Sequence, residues 1–232
     1  MKLSLILPVY NPARGWADIV LTKSSELINL YPQLSFETIV VNDGSTTENF
    51  LYDKTTLAKS SIKLLEYMPN KGKGEALRTG VRASSGDLIV YTDIDFPYTI
   101  DSVCSVIEEL LTQRHDVVLG IKDQTYYDHV PAVRHFISRL FRFFVRLLLR
   151  IPTDDTQCGL KGFNQKGKVV FLNTTITRYL FDLEFVFLAA RDSSIKIKIQ
   201  EIKLRPDVQF RKMNLAILKN ETWNFLKILM YS

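Results

Sequence analysis

Two aspartates separated by a single residue, Asp93 and Asp95, follow a run of strand-forming residues at 88–92. If the strand continues through them, both side chains point to one face, because side chains alternate along a strand. Neighbouring carboxylates stay ionised only when a cation or hydrogen-bond donors lie between them. Such oxygen ligands favour Mg²⁺ or Mn²⁺, ions that usually also bind substrate phosphates. The pair therefore predicts a metal ion that binds a diphosphate, and the alternative is a solvated strand end before a helix N-cap.

A second polar stretch, NDGST at Asn42–Thr46, follows another predicted strand. It places Asp43 and Gly44 at the strand end, as a turn that holds a base or a ribose requires. The alternative is an ordinary turn that leads into a helix capped by Ser45 or Thr46.

A third stretch, NKGKGEALRTG at Asn70–Gly80, combines glycines with positive charge. The glycines permit close backbone approach, and Lys71, Lys73 and Arg78 can meet a negative ligand. The stretch matches neither the phosphate-binding pattern G-x-x-x-x-G-K-[ST] nor the dinucleotide pattern G-x-G-x-x-G, which argues against a dinucleotide oxidoreductase.

The elements that must position these residues alternate in type through the first half of the chain. Strands alternating with helices predict a mostly parallel sheet covered on both faces, with ligands beyond the carboxyl ends of the strands. The polar stretches fall at those ends, so we expect them to converge on one edge. The predicted strands are Leu3–Val9, Phe36–Val41, Ile62–Tyr67, Leu88–Thr92 and Val117–Leu119, and the predicted helices are 16–31, 47–59, 74–84 and 100–113.

The second half has fewer strands and no linker or repeat, so a single domain is predicted. We expect helices over 131–150, 179–191 and 214–230, a short strand and a helix near 159–172, and a strand over Ile195–Leu204.

Bulk composition sets limits on the class of protein. The chain has 232 residues, 46% of them hydrophobic and 24% charged, which is typical of a globular protein. A net charge of +5 suits an anionic ligand and is too small to indicate nucleic acid. Cys104 and Cys158 are far apart and predict reduced thiols rather than a zinc site or a disulfide. No segment approaches the roughly 20 apolar residues of a membrane-spanning helix, and Leu3–Val9 is interpreted as a first strand rather than a signal peptide.

Five motifs carry a family resemblance: PVYN, NDGST, NKGKGEALRTG, GDLIVYTDID and DTQCGLKGF. In this order and spacing they resemble the family-2 glycosyltransferases of GT-A fold, and among these the dolichyl- or polyprenyl-phosphate sugar synthases of the glucosyl or mannosyl branch. The resemblance covers residues 1–212 and implies an α/β domain with a mixed, mostly parallel sheet flanked by helices. Residues 213–232 are expected to form an amphipathic helix packed on this domain or extending it.

The resemblance also implies roles on the donor side of the site. Asp93 and Asp95 match the metal motif and count as catalytic, with Mg²⁺ or Mn²⁺ as the cofactor. Pro97 stands where related synthases often carry a polar ligand, so Gln157 or water is the third ligand. The implied nucleotide-sugar residues are Pro8, Tyr10, Asn11, Asp43, Gly44, Lys71, Gly72, Lys73 and Asp93.

On the acceptor side the resemblance implies a lipid-phosphate site formed by Lys122, Arg139, Arg211 and Lys212. Asp155 is a candidate catalytic base if the acceptor is a hydroxyl, and otherwise it orients Lys122 or Arg139. A phosphate acceptor is already an anion near neutral pH, so it needs no strong base.

The segment 134–150 carries arginines along one helical stripe. Arg139, Arg142, Arg146 and Arg150 fall within about 80° of one another, with bulky apolar residues opposite. This pattern is typical of an interfacial helix on an anionic membrane, and a helix packed on the core is the alternative. The C-terminal helix is expected to join this surface or to mediate homo-oligomerisation.

These expectations define one function and two alternatives. We predict inverting transfer of a sugar from a UDP- or GDP-hexose to a polyprenyl or dolichyl phosphate, by a cytoplasmic protein at the inner face of the cell membrane. The first alternative is a family-2 glycosyltransferase that acts on a sugar hydroxyl in polysaccharide synthesis. The second is an inactive nucleotide- or lipid-binding scaffold. No nucleic-acid partner is expected.

Overall fold

A mixed sheet positions the polar stretches described above. In the computed structural model the described residues are 1–123, 145, 148–149, 151–153, 155–208 and 217–230. Within these ranges seven strands form the sheet. The strands are β1 (Lys2–Val9), β2 (Ser35–Asp43), β3 (Lys63–Tyr67), β4 (Leu88–Tyr91), β5 (Val117–Lys122), β6 (Lys161–Asn164) and β7 (Ile197–Ile202). The helices are α1 (Trp16–Leu30), α2 (Glu48–Leu57), α3 (Lys73–Ala83), α4 (Ile100–Leu111), α5 (Gln165–Leu172), α6 (Phe181–Arg191) and α7 (Ile217–Met230).

The strand order is β3-β2-β1-β4-β6-β5-β7. β6 runs antiparallel to β4 and β5, and the other pairs are parallel. The register sets Val9 of β1 opposite Asn42 of β2, and Asp43 opposite Tyr67 of β3. The loops that follow these strands therefore leave the sheet at one edge, which confirms the predicted mixed, mostly parallel sheet.

Buried residues form one hydrophobic cluster on each face of the sheet. Along β1, Leu5 and Leu7 belong to the first cluster and Ile6 to the second, because successive side chains of a strand point to opposite faces. Helices α1 and α4 contribute to the first cluster, and α3 and α6 contribute to the second. A strand buried on both faces reads as a continuous apolar run, which is why β1, β2 and β4 were recognisable in the sequence.

Local capping accounts for several helix starts. The Thr99 hydroxyl accepts a hydrogen bond from the Ser102 amide at 3.3 Å and begins α4. The Asn164 side chain accepts from the amides of Lys166 and Gly167 at 2.9 and 3.2 Å and begins α5 directly after β6. Polar residues of this kind satisfy the amides that the first helical turn leaves without partners.

The segment around Val145 and helix α7 also contribute to the second cluster. Val145 and Leu149, in the segment predicted to lie on a membrane, are buried in it, so these two positions fit the alternative of a core-packed helix. Ile228 of α7 is buried in the same cluster. Among the described helices, none combines the length and the apolar composition needed to cross a membrane.

Candidate active site

A cleft of about 640 Å³ opens at the carboxyl edge of the sheet. It lies where ligands bind in open α/β sheets, beyond the strand ends. The predicted site residues in its lining are Pro8, Tyr10, Asp43, Gly72, Lys73, Asp93, Asp95 and Gln157. Residues that the sequence reasoning did not select also line it: Val9, Pro12, Ala13, Arg14, Trp16, Ile19, Asn70, Ile94, Pro97, Arg178, Tyr179, Phe181 and Asp182.

Asp93 and Asp95 lie in a turn and not on a strand. β4 ends at Tyr91, and the Phe96 amide donates to the Asp93 carbonyl at 3.0 Å while Phe96 adopts a φ of 45°. The expectation that the two carboxylates share one face of a continuing strand is therefore wrong. The turn still brings both residues to the cleft, because it directly follows the central strand β4.

A lysine and a glycine determine the surroundings of Asp93. The Lys73 Nζ lies 2.5 Å from Asp93 Oδ1. A Cβ atom at Gly159 would lie 2.5 Å from Asp93 Oδ2, so only a glycine leaves room for the carboxylate in this position. Lys73 thus supplies a positive charge beside the Asp93 carboxylate.

The ammonium of Lys73 forms an ion pair with Asp93, and Asp182 is a second acidic residue that affects its pKa. Burial works to lower the pKa of Lys73, but Coulombic attraction from Asp93 and Asp182 outweighs burial and raises the pKa. Lys73 therefore stays protonated near neutral pH and can balance part of the charge of a diphosphate.

Asp43 is buried, and hydrogen bonds from its own chain occupy both carboxylate oxygens. Oδ1 accepts from the Tyr67 hydroxyl at 2.8 Å and from the Lys71 amide at 2.7 Å. Oδ2 accepts from the Asn70 side chain at 2.7 Å and from the Gly72 amide at 2.9 Å. Asp43 therefore joins the end of β2 to the loop before α3 and shapes the cleft wall. Its predicted contact with a nucleoside stays a prediction.

Two glycines permit this arrangement through their backbone conformation. Gly44 has a φ of 75°, and a Cβ atom there would lie 2.7 Å from the Asn70 amide nitrogen. Gly72 has a φ of 106°, and a Cβ atom there would lie 2.4 Å from the Thr177 carbonyl oxygen. A side chain at either position would be strained and would collide with backbone.

Three predicted nucleotide residues are not among the residues that line the cleft: Asn11, Gly44 and Lys71. The Asn11 side chain accepts from the Thr46 amide at 3.0 Å, and its own amide donates to Ser45 Oγ at 2.9 Å. Asn11 thereby ties the loop after β1 to the loop after β2. The ammonium of Lys71 lies 5.1 Å from the centre of the Tyr67 ring.

Arg78 does not meet the ligand that its charge suggested. It is buried, and it donates to Glu75, to the Thr174 hydroxyl at 3.0 Å and to the Ile176 carbonyl at 2.8 Å. The prediction for this residue is wrong because its position in α3 turns it away from the cleft, toward the segment before α6. There it anchors the backbone that leads to Arg178.

The acceptor-side prediction falls only partly on described residues. Lys122, at the end of β5, donates its amide to Asp155 Oδ2 at 2.7 Å and its ammonium to Asp155 Oδ1 at 3.0 Å. Asp155 therefore orients Lys122, one of its two predicted roles, and a role as catalytic base stays a prediction. Arg139, Arg211 and Lys212 lie outside the described residues, as do Arg142, Arg146 and Arg150.

Asp182 is the most informative residue that the sequence reasoning missed. Its Oδ1 accepts from the Tyr91 hydroxyl and from the Lys161 ammonium, each at 2.6 Å. Lys161 is fully buried and also donates to the Cys158 carbonyl at 2.5 Å. The string FDLEF offers only an acidic residue in the first turn of a helix as a signal, which is a common feature of helices. The partners, 91 residues and 21 residues distant, become apparent only in the fold.

The cleft supplies oxygen ligands that suit a hard divalent ion. Asp93, Asp95 and Gln157 line it together, and the glycine at 159 leaves space beside the first carboxylate. Among the described residues, no group of three or more His, Cys, Asp or Glu side chains is arranged so that it could hold a metal ion by itself. Two carboxylates and an amide nevertheless fit an ion that takes its remaining ligands from water and a diphosphate.

Comparison with known sequences places this cleft in a family context. A family model described as "Glycosyl transferase family 2" matches residues 4–168. The sequence is 27% identical over 221 residues to a dolichyl-phosphate beta-glucosyltransferase of Drosophila melanogaster, covering 88% of this chain and 67% of the relative. It is 29% identical over 171 residues to the glycosyltransferase AglD of Haloferax volcanii, covering 72% of this chain and 27% of that protein. The chain thus spans about two thirds of the first relative and about a quarter of the second.

Solved structures share the fold across nearly the whole chain. Glucosyl-3-phosphoglycerate synthase from Mycobacterium tuberculosis, crystallised with Mn²⁺, uridine diphosphate and phosphoglyceric acid, matches with a TM-score of 0.68 at 20% identity, covering 99% of this chain and 78% of that one. A structure of the same enzyme with Mn²⁺ and UDP-glucose matches with a TM-score of 0.64 at 18% identity, with the same coverage. The fold is therefore of the GT-A type, as the sequence motifs predicted.

Proposed function

Because the chain belongs to glycosyl transferase family 2, we propose that it transfers a hexose, with inversion, from a nucleotide diphosphate donor to a polyprenyl or dolichyl phosphate. The observation that carries this proposal is the cleft in which Asp93, Asp95 and Lys73 lie together at the carboxyl edge of the sheet. Carboxylates that hold a divalent ion, beside a protonated lysine, suit the charge that develops on a departing diphosphate.

UDP-glucose is the donor to test first. The named activity of the Drosophila and human relatives is dolichyl-phosphate beta-glucosyl transfer, and the mycobacterial synthase was crystallised with UDP-glucose. A GDP-hexose is the second donor, since none of the contacts described here depends on the base.

We assign the divalent ion, Mg²⁺ or Mn²⁺, to Asp93, Asp95 and Gln157. When bound, such an ion supplies electrostatic stabilisation of the diphosphate leaving group. The chain's own contribution is positional. Gly159 leaves space for the Asp93 carboxylate, and Lys73 holds it through its ammonium.

We assign the acceptor phosphate to Lys122, which lies at the end of β5 and is not among the residues that line the cleft. Asp155 binds both the amide and the ammonium of Lys122, so it fixes the direction of that cation. One phosphate oxygen of the acceptor attacks the anomeric carbon, the bond to the donor diphosphate breaks, and the configuration inverts. No proton has to be removed from a phosphate dianion, so the reaction needs no catalytic base. The hydrogen bonds between Asp155 and Lys122 therefore do not hinder it.

A transfer assay tests the proposal directly. The chain is incubated with UDP-glucose, Mn²⁺ and a short polyprenyl phosphate, and the lipid fraction is analysed for a hexosyl phosphate of β configuration. GDP-mannose in place of UDP-glucose tests the second donor. Transfer to sugar hydroxyls but not to the lipid phosphate would favour the polysaccharide alternative. Donor binding without turnover on either acceptor would favour the scaffold alternative.

Contact with an anionic membrane surface is part of the same proposal, because the acceptor is a lipid. The stripe formed by Arg139, Arg142 and Arg146 is the assigned contact. Changing these three residues to Gln should reduce co-sedimentation with vesicles of one third anionic lipid by about tenfold or more, since each cation near such a surface contributes about 1 kcal/mol.

A matched control variant distinguishes the effect of these three arginines from the effect of a lower net charge. Arg82, Arg114 and Arg191 are exposed and belong to other segments of the chain, and their triple change to Gln lowers the net charge equally. Equal loss of vesicle binding in the two triple variants would contradict the assigned contact.

A further inference from the structure

A fully buried lysine lies beneath the cleft with its charge paired to a cleft residue. Lys161 is 0% exposed, and its ammonium donates to Asp182 Oδ1 at 2.6 Å and to the Cys158 carbonyl at 2.5 Å. Replacing a buried ion pair with apolar residues of similar volume is often neutral or stabilising. Stability of the fold therefore does not by itself account for this pair at the base of a cleft.

The hydrogen bonds to Asp182 are asymmetric. The Lys161 ammonium and the Tyr91 hydroxyl both converge on Oδ1, each at 2.6 Å. In the part of the chain that the structure describes, no donor lies on Oδ2. Asp182 is 4% exposed and lines the cleft, so its second oxygen can accept a hydrogen bond from a ligand there.

The position of Asp182 relates it to the diphosphate end of the cleft. The Lys73 ammonium lies 2.5 Å from Asp93 Oδ1 and 6.0 Å from the centre of the ring of Phe181, the residue next to Asp182. Lys73 thus lies near both the proposed metal ligand and the helix turn that carries Asp182. In a nucleotide diphosphate sugar the hexose is attached to the outer phosphate, so a residue just beyond the phosphate-binding cation is within reach of the hexose.

Neighbouring side chains suit a sugar as well. Tyr179 and Phe181 both line the cleft, and the exposed ring of Tyr179 can pack against an apolar C–H face of a hexose, whereas Phe181 is buried in the second hydrophobic cluster. Gly74 allows this wall to approach α3, because a Cβ atom there would lie 2.7 Å from the Phe181 Cβ. The wall therefore combines a fixed acceptor with aromatic surface.

We propose that Asp182 binds a hydroxyl group of the transferred hexose through Oδ2 and so determines which hexose is accepted. Tyr91 and Lys161 are positioning residues, because they hold Oδ1 and thereby aim Oδ2 into the cleft. The inference rests on the proposed function, since it takes the ligand to be a nucleotide diphosphate hexose.

The test compares a complete donor with analogues that each lack one hydroxyl group of the hexose. UDP-glucose and its 2-, 3-, 4- and 6-deoxy analogues are assayed for kcat/KM of donor cleavage and for Kd by calorimetry, without acceptor. For the unaltered chain we expect at least one analogue to lose about tenfold to a hundredfold, the effect of a hydrogen bond to a charged group. In Asp182→Asn the same analogue should differ from UDP-glucose by less than about twofold, because the anionic acceptor has already been removed. Binding of UDP alone should be unchanged.

Two further variants keep the test decisive. Asp116→Asn changes another buried carboxylate, which accepts from the Asn164 side chain at 2.8 Å and from the Lys196 amide at 2.9 Å at the opposite edge of the sheet. It should lower thermal stability and leave discrimination among the donors intact. Tyr91→Phe retains the pair of Asp182 and Lys161, so it provides a folded test if Asp182→Asn does not fold, and it should reduce discrimination about threefold.

Each outcome has a distinct meaning. Discrimination by Asp182→Asn or Tyr91→Phe equal to that of the unaltered chain would overturn the role of Asp182 and leave the proposed function in place. Discrimination lost as expected, but without transfer to any lipid phosphate, would support Asp182 and overturn the proposed acceptor. If the unaltered chain bound UDP- and GDP-hexoses no more tightly than UDP and GDP, both the proposed function and this inference would be wrong.

Discussion

Carboxylates lie among hydrogen-bond donors at both edges of the sheet. The two edges differ in whether a carboxylate oxygen is left for a ligand. At the amino edge, Glu37 accepts hydrogen bonds from the hydroxyl of Ser4 and from the amide of Ser85, and it pairs with Lys2 at 3.2 Å. At the carboxyl edge, Asp93 and Asp182 engage one oxygen each with a lysine and line an open cleft.

The electrostatic consequences differ in the same way. Burial works to raise the pKa of Glu37, but hydrogen bonds from Ser4, Ser85 and Lys2 outweigh it and lower the pKa to about 2. That cluster is complete without a ligand. At the other edge, Lys73 pairs with Asp93, and both side chains line the cleft. A carboxylate therefore indicates a binding site when its own chain leaves an oxygen directed into a cavity, and it indicates structure when its own chain satisfies both oxygens.

Among substitutions at the two edges of the sheet, Asp95→Asn at the carboxyl edge should have the largest effect. We expect turnover of UDP-glucose to fall about a hundredfold to a thousandfold, because Asp95 is a proposed ligand to the ion that would stabilise the leaving group. The melting temperature should stay unchanged, since Asp95 is exposed. Initial rates over a range of Mn²⁺ concentrations, together with calorimetric melting, provide the measurement. Full turnover in this variant would show that the metal assignment is wrong.

Two glycines, one at each edge of the sheet, allow a second comparison, and the first of them is Gly159 beside the cleft. Gly159→Ala would place a Cβ atom 2.5 Å from Asp93 Oδ2, the mobile end of a side chain, so the carboxylate must shift while the backbone stays. We expect kcat/KM to fall about tenfold to a hundredfold, because Asp93 is a proposed metal ligand and a displacement of about 1 Å at a reacting centre has an effect of this size. Stability should change little. Unaltered kinetics would mean that the position of Asp93 is not critical.

The matching glycine at the amino edge should behave in the opposite way. Gly86→Ala would place a Cβ atom 2.7 Å from the Ser4 amide nitrogen and 2.8 Å from the Leu88 carbonyl oxygen, which are backbone atoms that cannot move aside. We expect a loss of about 1–3 kcal/mol in the free energy of unfolding, with kcat unchanged at a temperature where the protein is folded. Urea titration and donor cleavage assays measure the two quantities. A selective loss of activity would break the contrast between the edges.

The smallest effect concerns pH at the amino edge. The folded pKa of Glu37 lies below the ordinary value of 4.5, so its stabilisation is complete above pH 4.5 and is lost as the pH falls toward about 2. Glu37→Gln should lower the free energy of unfolding by about 1 kcal/mol at pH 7 and have less effect at pH 3. Urea titrations at both pH values test this, and an equal difference at both would contradict the assigned role of the charge.

Much of the fold was predictable because the first half of the chain is locally consistent. The apolar runs that became β1, β2 and β4 are buried on both faces, and helices with regular spacing separate them. The ends of these elements differ from the predictions by a few residues. The most consequential difference is at β4, which ends at Tyr91, because the turn that carries Asp93 follows directly.

The site was predictable in its location and only partly in its contacts. Asp93, Asp95 and Lys73 were selected as ligands for a metal and a diphosphate, and all three line the cleft. Arg78 was selected for its charge and instead is buried against Thr174 and Ile176. Charge and loop position do not reveal whether a side chain on the first turns of a helix points toward a cleft or toward the core.

By itself, the sequence determined that the polar stretches after β1 to β4 meet at one edge, because parallel strands end on the same side of a sheet. Tertiary structure decided which of their groups are left for a ligand. Asp43 accepts hydrogen bonds from Tyr67 and from the loop before α3, whereas Asp182 accepts hydrogen bonds from Lys161 and Tyr91 on a single oxygen. The reason is physical: a hydrogen bond acts over about 3 Å, and packing alone decides which distant residues come that close.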